Sequence, residues 1–379
     1  MRFSVTERAR LALSWTVTVG AIAGFFILGK PLPTAGVRPD AKFNREAMFW
    51  RRADLGAKCG LCPFNCYLPE GARGKCRVRA STGGKLLTMV WGQAASVAVD
   101  PIEKKPVFHM LPGTPILSFA AVGCPLRCNF CQNWSLSQVN PEEVKGSGIT
   151  TPEAIVAYAL ANRIPSIAYT YSEPAVFYEY MIETAMLAKR RGLRNVVVTS
   201  GYINAEPLER LAPYLDVVKV DLKGMDPGFY RDEVGGRLEP VLATLKVLKT
   251  RGVLVEVVNL VVPGRNDSEG DFTRLSAWVV ENMGPDTPVF FSRFHPDYRL
   301  TNLPSTPVET LERARALARK AGLRYVYLGN APGGEGESTR CPWDGALLVG
   351  REGYLVRAYN LRAGRCPSCG RTIPGIWRQ

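Results

Sequence analysis

Histidine is nearly absent from this chain of 379 residues, which holds two, His109 and His295. A metal centre built mainly from imidazoles is thereby excluded. No Gly-x-Ser-x-Gly elbow occurs, so a Ser–His–Asp hydrolase of the α/β type has no nucleophile in its usual setting. Acidic residues are in deficit, 34 against 48 basic, for a formal charge of +14. Such an excess is a feature of nucleic-acid binders. Here the basic residues are spread along the chain, many in stretches such as Ala188-Lys189-Arg190-Arg191-Gly192, and no basic and aromatic run offers a base-stacking surface. Solvated helix faces and attraction to anionic head groups account for the charge, and nucleic acid is not expected as a partner.

Cysteine, by contrast, is plentiful: ten residues in three groups, four at 59–76, three at 124–131 and three at 341–369. These spacings are those of metal ligands rather than disulfides, which implies a reducing compartment. The most informative group is Gly123-Cys124-Pro125-Leu126-Arg127-Cys128-Asn129-Phe130-Cys131-Gln132. Three thiolates lie on one short loop and no fourth follows nearby. On a cubane of four irons and four sulfides, three sulfur ligands leave one iron open to a small molecule. Zinc loops instead come as paired Cys-x-x-Cys knuckles that supply four ligands. The preceding run Ile116–Val122 is apolar and partly β-branched, so the loop is expected to leave the end of a buried strand.

The other two groups leave more open. Cys59, Cys62, Cys66 and Cys76 make a closed set of four thiolates, which zinc or a second iron–sulfur cluster would suit equally. Near the C-terminus, Cys341-Pro342-Trp343-Asp344-Gly345 is echoed by Cys366-Pro367-Ser368-Cys369-Gly370. This is a zinc-ribbon pattern in which Asp344 stands where the second copy has cysteine. Asp344 either completes a set of three sulfurs and one oxygen or marks a decayed site.

Leu11 to Gly29 carries no charge; as a helix it would span about 28 Å, close to the thickness of a bilayer core. Arg2, Arg8 and Arg10 precede it and Lys30, Arg38, Lys42, Arg45, Arg51 and Arg52 follow. Neither a twin arginine nor a clear small-x-small cleavage site accompanies it. The expectation is an uncleaved transmembrane helix, with the membrane as a partner, and the heavier positive flank places the catalytic body in the cytoplasm. The organisation then reads as an anchor at 1–30, a linker at 31–55, a Cys-rich segment at 56–110, a barrel at 111–330 and a zinc-ribbon-like segment at 331–379.

From 116 onward, strand-like runs (166–170, 195–199, 216–220, 254–262, 288–291, 324–327) alternate with amphipathic stretches (175–191, 206–211, 238–250, 271–282, 308–321). Thr151-Pro152 and Thr306-Pro307 read as helix starts. Such alternation predicts an α/β fold with a parallel sheet, a full or partial TIM-type barrel, whose chemistry sits at the strand C-terminal ends. Polar residues recur at the expected strand exits. Glu173 follows Thr170 and is suited to receive an ammonium group. Ser200 follows Thr199, Asp221 and Lys223 follow Val220, and His295 follows Phe291 by four residues. Caps and turns explain Glu173, Lys223 and His295 poorly, whereas His109 reads as a surface or packing residue.

Taken in order, these phrases resemble the radical S-adenosylmethionine (SAM) enzymes of the AmmeMemoRadiSam system, relatives of the pyruvate formate-lyase activating enzymes. The resemblance runs from Cys59 to the C-terminus through the four-cysteine phrase, Cys-x3-Cys-x2-Cys, Tyr-x-Glu-Pro, Asp-Leu-Lys-Gly, Val-Pro-Gly-x-Asn-Asp, Arg-Phe-x-Pro-Asp-Tyr and the closing Cys-x-x-Cys-Gly. It implies that Cys124, Cys128 and Cys131 hold a 4Fe–4S cluster, with Phe130 packing near the adenine of SAM. Glu173 would take the SAM amino group, Ser200 and Asp221 would contact ribose or amino acid, His295 would contact SAM, and Lys223 would act on the substrate side. The activity implied is reductive cleavage of SAM to a 5′-deoxyadenosyl radical that abstracts hydrogen from a C–H bond. The substrate would be a protein glycyl residue, as for an activase, or something membrane-associated, and the electron donor a protein of flavodoxin or ferredoxin type. An RNA-modifying radical SAM enzyme and a non-catalytic zinc or iron–sulfur scaffold are the alternatives. Two departures from the pattern stand out: Ser172 where asparagine is common, and Asp344 in place of a cysteine.

Overall fold

The computed structural model describes residues 43–144, 148–331 and 333–378. Eight strands form one sheet in chain order: β1 (Ser96–Pro101), β2 (Pro115–Ala120), β3 (Ser166–Tyr169), β4 (Arg194–Thr199), β5 (Val217–Asp221), β6 (Leu254–Val261), β7 (Val289–Arg293) and β8 (Val326–Gly329). Every pairing from β2 to β8 is parallel, and β1 is antiparallel to β2. The parallel strands β2 to β8 are buried on both faces, and β4, β5 and β6 are rich in valine, as a parallel sheet covered by crossover helices requires. The two edges, β1 and β8, do not pair with each other among the described residues, so the barrel is a partial one.

Six helices accompany the parallel strands: α1 (Pro152–Ala161), α2 (Tyr178–Arg190), α3 (Ala205–Leu211), α4 (Glu239–Thr250), α5 (Glu269–Met283) and α6 (Val308–Lys320). The start of α1 is the expected one, with the Thr151 hydroxyl accepting from Ala154 N at 3.3 Å. The start of α6 is not. Thr306 lies one residue before the cap, and its hydroxyl instead donates to Val261 O at 2.6 Å and accepts from Phe294 N at 3.0 Å. A buried hydroxyl satisfies the nearest orphaned backbone groups, and here those belong to the ends of β6 and β7.

Two further expectations change. Part of the 31–55 stretch is folded: Arg45–Glu46 pairs with Lys85–Thr88, and Trp50–Ala53 pairs with Gly56–Cys59. No local signal marks these short strands. They are tied down from afar: buried Arg79 donates to Met48 O at 2.9 Å and pairs with Glu179 of α2, which also accepts from Met48 N at 2.7 Å. The second change is a correction of the fold class and of the localisation. Among the described residues no helix is long and apolar enough to cross a membrane; α5, of 15 residues, is amphipathic and charged, whereas a span needs about 20 apolar residues. The Leu11–Gly29 run lies outside the described residues. The transmembrane helix, the membrane partner and the cytoplasmic placement argued from them are not carried forward.

The C-terminal residues add a small antiparallel sheet, β9 (Thr339–Arg340), β10 (Leu347–Glu352) and β11 (Leu355–Tyr359). It shares a buried apolar cluster with Phe108 and with Val258, Phe290, Tyr325 and Tyr327 of the barrel. Next to it lies His109, buried rather than at the surface, with Nε2 2.7 Å from Tyr327 Oη and Nδ1 2.6 Å from Pro374 O.

Candidate active site

At the C-terminal ends of the parallel strands a cavity of about 370 Å³ opens, within the size range of small-molecule sites. Its floor is the cysteine loop after β2. Gly123 must be glycine: its φ is +101°, and a Cβ there would stand 2.6 Å from Cys76 O. Backbone bonds from Arg127 N to Val234 O and from Asn129 N to Glu233 O, both 2.9 Å, fasten the loop to the helical turn Tyr230–Val234. Cys124, Cys128 and Cys131 all line the cavity. Burial raises the Cys124 and Cys128 thiols, Cys128 to about 11 even though the Lys223 ammonium works against it, so a bound metal must displace their protons. Three thiols and no fourth cysteine or histidine face this space among the described residues. That donor set fits a cluster with one iron left to a non-protein ligand.

Phe130 also lines the cavity, stacked on Phe229 with centroids 5.9 Å apart and planes 14° from parallel. Glu173, buried after β3, receives four donors: Thr199 Oγ1 at 2.5 Å, Ala175 N at 3.2 Å, Ser200 N at 2.8 Å and Ser200 Oγ at 2.5 Å. Two of these are hydroxyls free to rotate, so lone pairs can be released to a ligand's ammonium group. The neighbouring Ser172 hydroxyl is committed to Ala121 O at 2.6 Å.

Asp221 lies between two lysines, bonded to Lys219 and 3.4 Å from Lys223 Nζ. Burial opposes its ionisation, but the two ammonium groups hold it below the usual carboxylate range. Burial likewise opposes the charge on Lys223, yet the Asp221 carboxylate, and the Cys128 sulfur once ionised, hold its pKa well above the ordinary lysine value. Its backbone is fixed too: Lys223 N donates to Tyr230 Oη at 3.1 Å, and Asn266 Nδ2 donates to Lys223 O at 2.7 Å. Asn266, which also accepts from Val262 N at 2.7 Å, is therefore what the Val-Pro-Gly-x-Asn-Asp phrase supplies to the site.

Of the expected site residues, the fold thus brings the three cysteines, Phe130, Glu173, Ser200, Asp221 and Lys223 to one cavity. It does not bring His295, which is exposed and whose Nδ1 is 3.4 Å from Pro296 O. Residues to which the sequence assigned no role line the same cavity: Lys105, Tyr171, Lys219 and Tyr354. Lys105 pairs with Asp100 at 2.5 Å and lies 4.0 Å from the Tyr171 ring centroid; burial lowers its pKa to about 8 against the pull of Asp100. Tyr171 holds the rare φ of +66° and donates to Asp100 Oδ2 at 2.5 Å. Lys219 had a signal, since it lies two residues before Asp221 on one strand and so faces the same way. Tyr171 had one too, as the first residue of the Tyr-x-Glu-Pro phrase, whereas Lys105 and Tyr354 arrive from loops and had none.

Away from the mouth, Cys59, Cys62, Cys66 and Cys76 line a small apolar cavity together with Arg79, which lies 3.7 Å from the Cys59 sulfur. Cys341, Asp344, Cys366 and Cys369 converge separately at the C-terminus.

An α/β barrel with a three-thiol loop at its mouth defines a class of enzyme that works through a metallocluster, and the comparisons with known proteins say which. The Radical SAM superfamily profile matches residues 120–275. The chain is 46% identical over 332 residues to an uncharacterized protein of Methanocaldococcus jannaschii, covering 87% of this chain and 98% of that one. It is 25% identical over 166 residues to the pyruvate formate-lyase-activating enzyme of Streptococcus mutans, covering 41% of this chain and 63% of the enzyme. Against the benzylsuccinate synthase activating enzyme of Thauera aromatica it is 27% identical over 124 residues, covering 32% of this chain and 38% of the enzyme. The chain belongs to the radical SAM superfamily and is related to its activating enzymes. It is thus an enzyme whose cofactors are a 4Fe–4S cluster and SAM, and the scaffold reading is discarded.

Proposed function

We propose that this chain is an activating-type radical SAM enzyme whose substrate is a C–H bond of a partner protein. The observation that carries the reading is the meeting of Cys124, Cys128, Cys131, Phe130, Glu173, Ser200, Asp221 and Lys223 around one cavity. The three thiolates hold the cluster. Glu173, with the Thr199 and Ser200 hydroxyls turning toward the ligand, receives the SAM ammonium group. Phe130, stiffened by its stack on Phe229, offers an apolar surface to the adenine. Asp221 takes ribose or amino-acid donors, and Lys223 supplies a fixed positive charge between the cluster and the substrate side.

Bound together, the two cofactors supply reductive cleavage of the SAM carbon–sulfur bond and a carbon radical that takes hydrogen from the substrate. The chain's own contribution is orientation and exclusion of water. A glycyl residue on a protein loop is the activase-like substrate, by relation to the activating enzymes above, and a flavodoxin- or ferredoxin-type protein is the electron donor.

The test is anaerobic: reconstitute the protein with iron and sulfide, add SAM and dithionite, and quantify 5′-deoxyadenosine. Product is expected from the parent and none from the variant carrying Cys124→Ala, Cys128→Ala and Cys131→Ala. A parent loaded with its cluster and saturated with SAM that yields no more product than this variant would overturn the reading.

A further inference from the structure

The radical chemistry makes no use of the C-terminal constellation. Cys341 and Asp344 lie on the turn between β9 and β10, and Cys366 and Cys369 on a turn beyond β11. Their ligand atoms, three sulfurs and a carboxylate oxygen, all lie within 4.8 Å of one another. The sulfurs of Cys341 and Cys369 are 3.6 Å apart, and the Cys366 sulfur is 3.5 Å from one Asp344 carboxylate oxygen and 3.8 Å from the other. Around zinc, with sulfur at about 2.3 Å and oxygen at about 2.0–2.2 Å, the edges of a tetrahedron measure roughly 3.5–3.8 Å. The Cys341–Cys369 and Cys366–Asp344 separations already match two of those edges, and the remaining ones, all within 4.8 Å, need to close by about 1 Å at most.

The two turns are the same device. Gly345 N donates to Cys341 O at 2.9 Å and Gly370 N to Cys366 O at 3.0 Å; Cys341 N donates to Ala346 O and Cys366 N to Arg371 O, both at 2.9 Å. The glycines have φ of +75° and +73°. Asp344 therefore occupies the knuckle position that Cys369 occupies in its twin. Ala346 N, 3.0 Å from Asp344 Oδ1, steadies its carboxylate. Cys341 and Cys366 are buried while Asp344 and Cys369 are exposed, so the site has apolar backing on one side and an entry path on the other. A Cys341–Cys369 disulfide would need its sulfurs near 2.05 Å and would strand Cys366 and Asp344.

We propose that these four side chains bind one zinc ion, with Asp344 as its oxygen ligand. The ion closes the base of the β10–β11 hairpin, which lies between the two knuckles. From that hairpin Arg351 donates to Phe108 O at 2.8 Å, and Tyr354, at its tip, lines the catalytic cavity. The metal is structural in chemistry but holds one wall of the substrate mouth.

X-ray absorption at the zinc edge on the intact, cluster-loaded protein tests this, because iron does not contribute to the signal. The shell expected of this site is three sulfurs near 2.3 Å and one oxygen near 2.0 Å, read as the difference between wild type and a Cys366→Ala, Cys369→Ala variant, since the Cys59–Cys76 set also suits zinc. Asp344→Cys, which restores the repeat and is therefore expected to fold, should raise the sulfur count, and Asp344→Ala should release zinc to a competing chelator at least tenfold more readily, with iron content unchanged in both. Absence of zinc, a shell that Asp344→Cys leaves unaltered, or a Cys341–Cys369 disulfide found by mass spectrometry of anaerobically prepared protein would each overturn it.

Discussion

Two places in this chain present three thiols, and they are built to opposite ends. At the barrel mouth, Cys124, Cys128 and Cys131 line a cavity of about 370 Å³ that no fourth protein ligand of the cysteine or histidine kind enters, among the described residues. At the C-terminus, Cys341, Cys366 and Cys369 are joined by Asp344 and drawn within 4.8 Å of one another. Open sites leave a coordination position to a reactant, and closed sites hold structure together. The number of cysteines is the same in both, so the backbone that carries them sets the difference. One loop carries all three sulfurs and turns them to empty space, whereas two matched knuckles turn theirs toward each other.

The comparison is broken most severely at the open site. Cys128→Ala should remove the cluster and bring 5′-deoxyadenosine formation below detection, read by iron content and chromatography; retained iron at wild-type level would sink the assignment. Glu173→Gln should keep the iron but weaken SAM binding at least tenfold, about 1.4 kcal/mol or more, since a charge-assisted bond becomes a neutral one; calorimetric titration with SAM checks it. At the closed site, Asp344→Ala should spare the iron, lower the melting temperature by a few degrees and speed amide exchange in the 347–359 hairpin. A turnover loss as large as that of Cys128→Ala would mean that the two sites are not separable.

The seam between the regions has its own pH dependence. Burial pushes the His109 imidazole down to about 3 from an ordinary 6.5. The unfolded chain therefore takes up the proton first, and the stability His109 lends above pH 6.5 is lost as pH falls toward 3. Glu256, which accepts from Phe108 N at 3.0 Å and His109 N at 2.9 Å, is raised by burial to about 7 from 4.5. Its contribution is greatest below pH 4.5 and is lost as pH rises through 7. Melting temperatures of His109→Gln should accordingly fall less than wild type, or rise, between pH 7.5 and 5; an unchanged slope would remove His109 from the account. The smallest effect is expected at His295, which is exposed. His295→Ala should change SAM affinity less than Glu173→Gln does, checked by the same calorimetric titration; an equal loss would return His295 to the site.

Much of this was readable in advance. The strands predicted at 166–170, 195–199 and 254–262 are Ser166–Tyr169, Arg194–Thr199 and Leu254–Val261, because β-branched runs between amphipathic stretches leave a doubly covered sheet few alternatives. The polar residues at strand exits were legible for the same reason, since the barrel turns every exit toward one mouth. What escaped was whatever reaches the site from elsewhere in the chain: Lys105 from the loop after β1, Tyr354 from the C-terminal hairpin and Asn266 as the clamp on Lys223. His295 shows the converse, a strand-exit residue that the backbone leaves outside.

By itself, the order of residues determined the cysteine spacings, the strand–helix alternation and the acidic and basic residues at the strand ends, because each depends on neighbours a few positions apart. Only the tertiary structure decided which thiols face open space and which converge, that His109 is buried and that Lys105 and Tyr354 join the mouth. Those outcomes depend on contacts between residues tens to hundreds of positions apart, such as Arg351 with Phe108, and no local pattern encodes them.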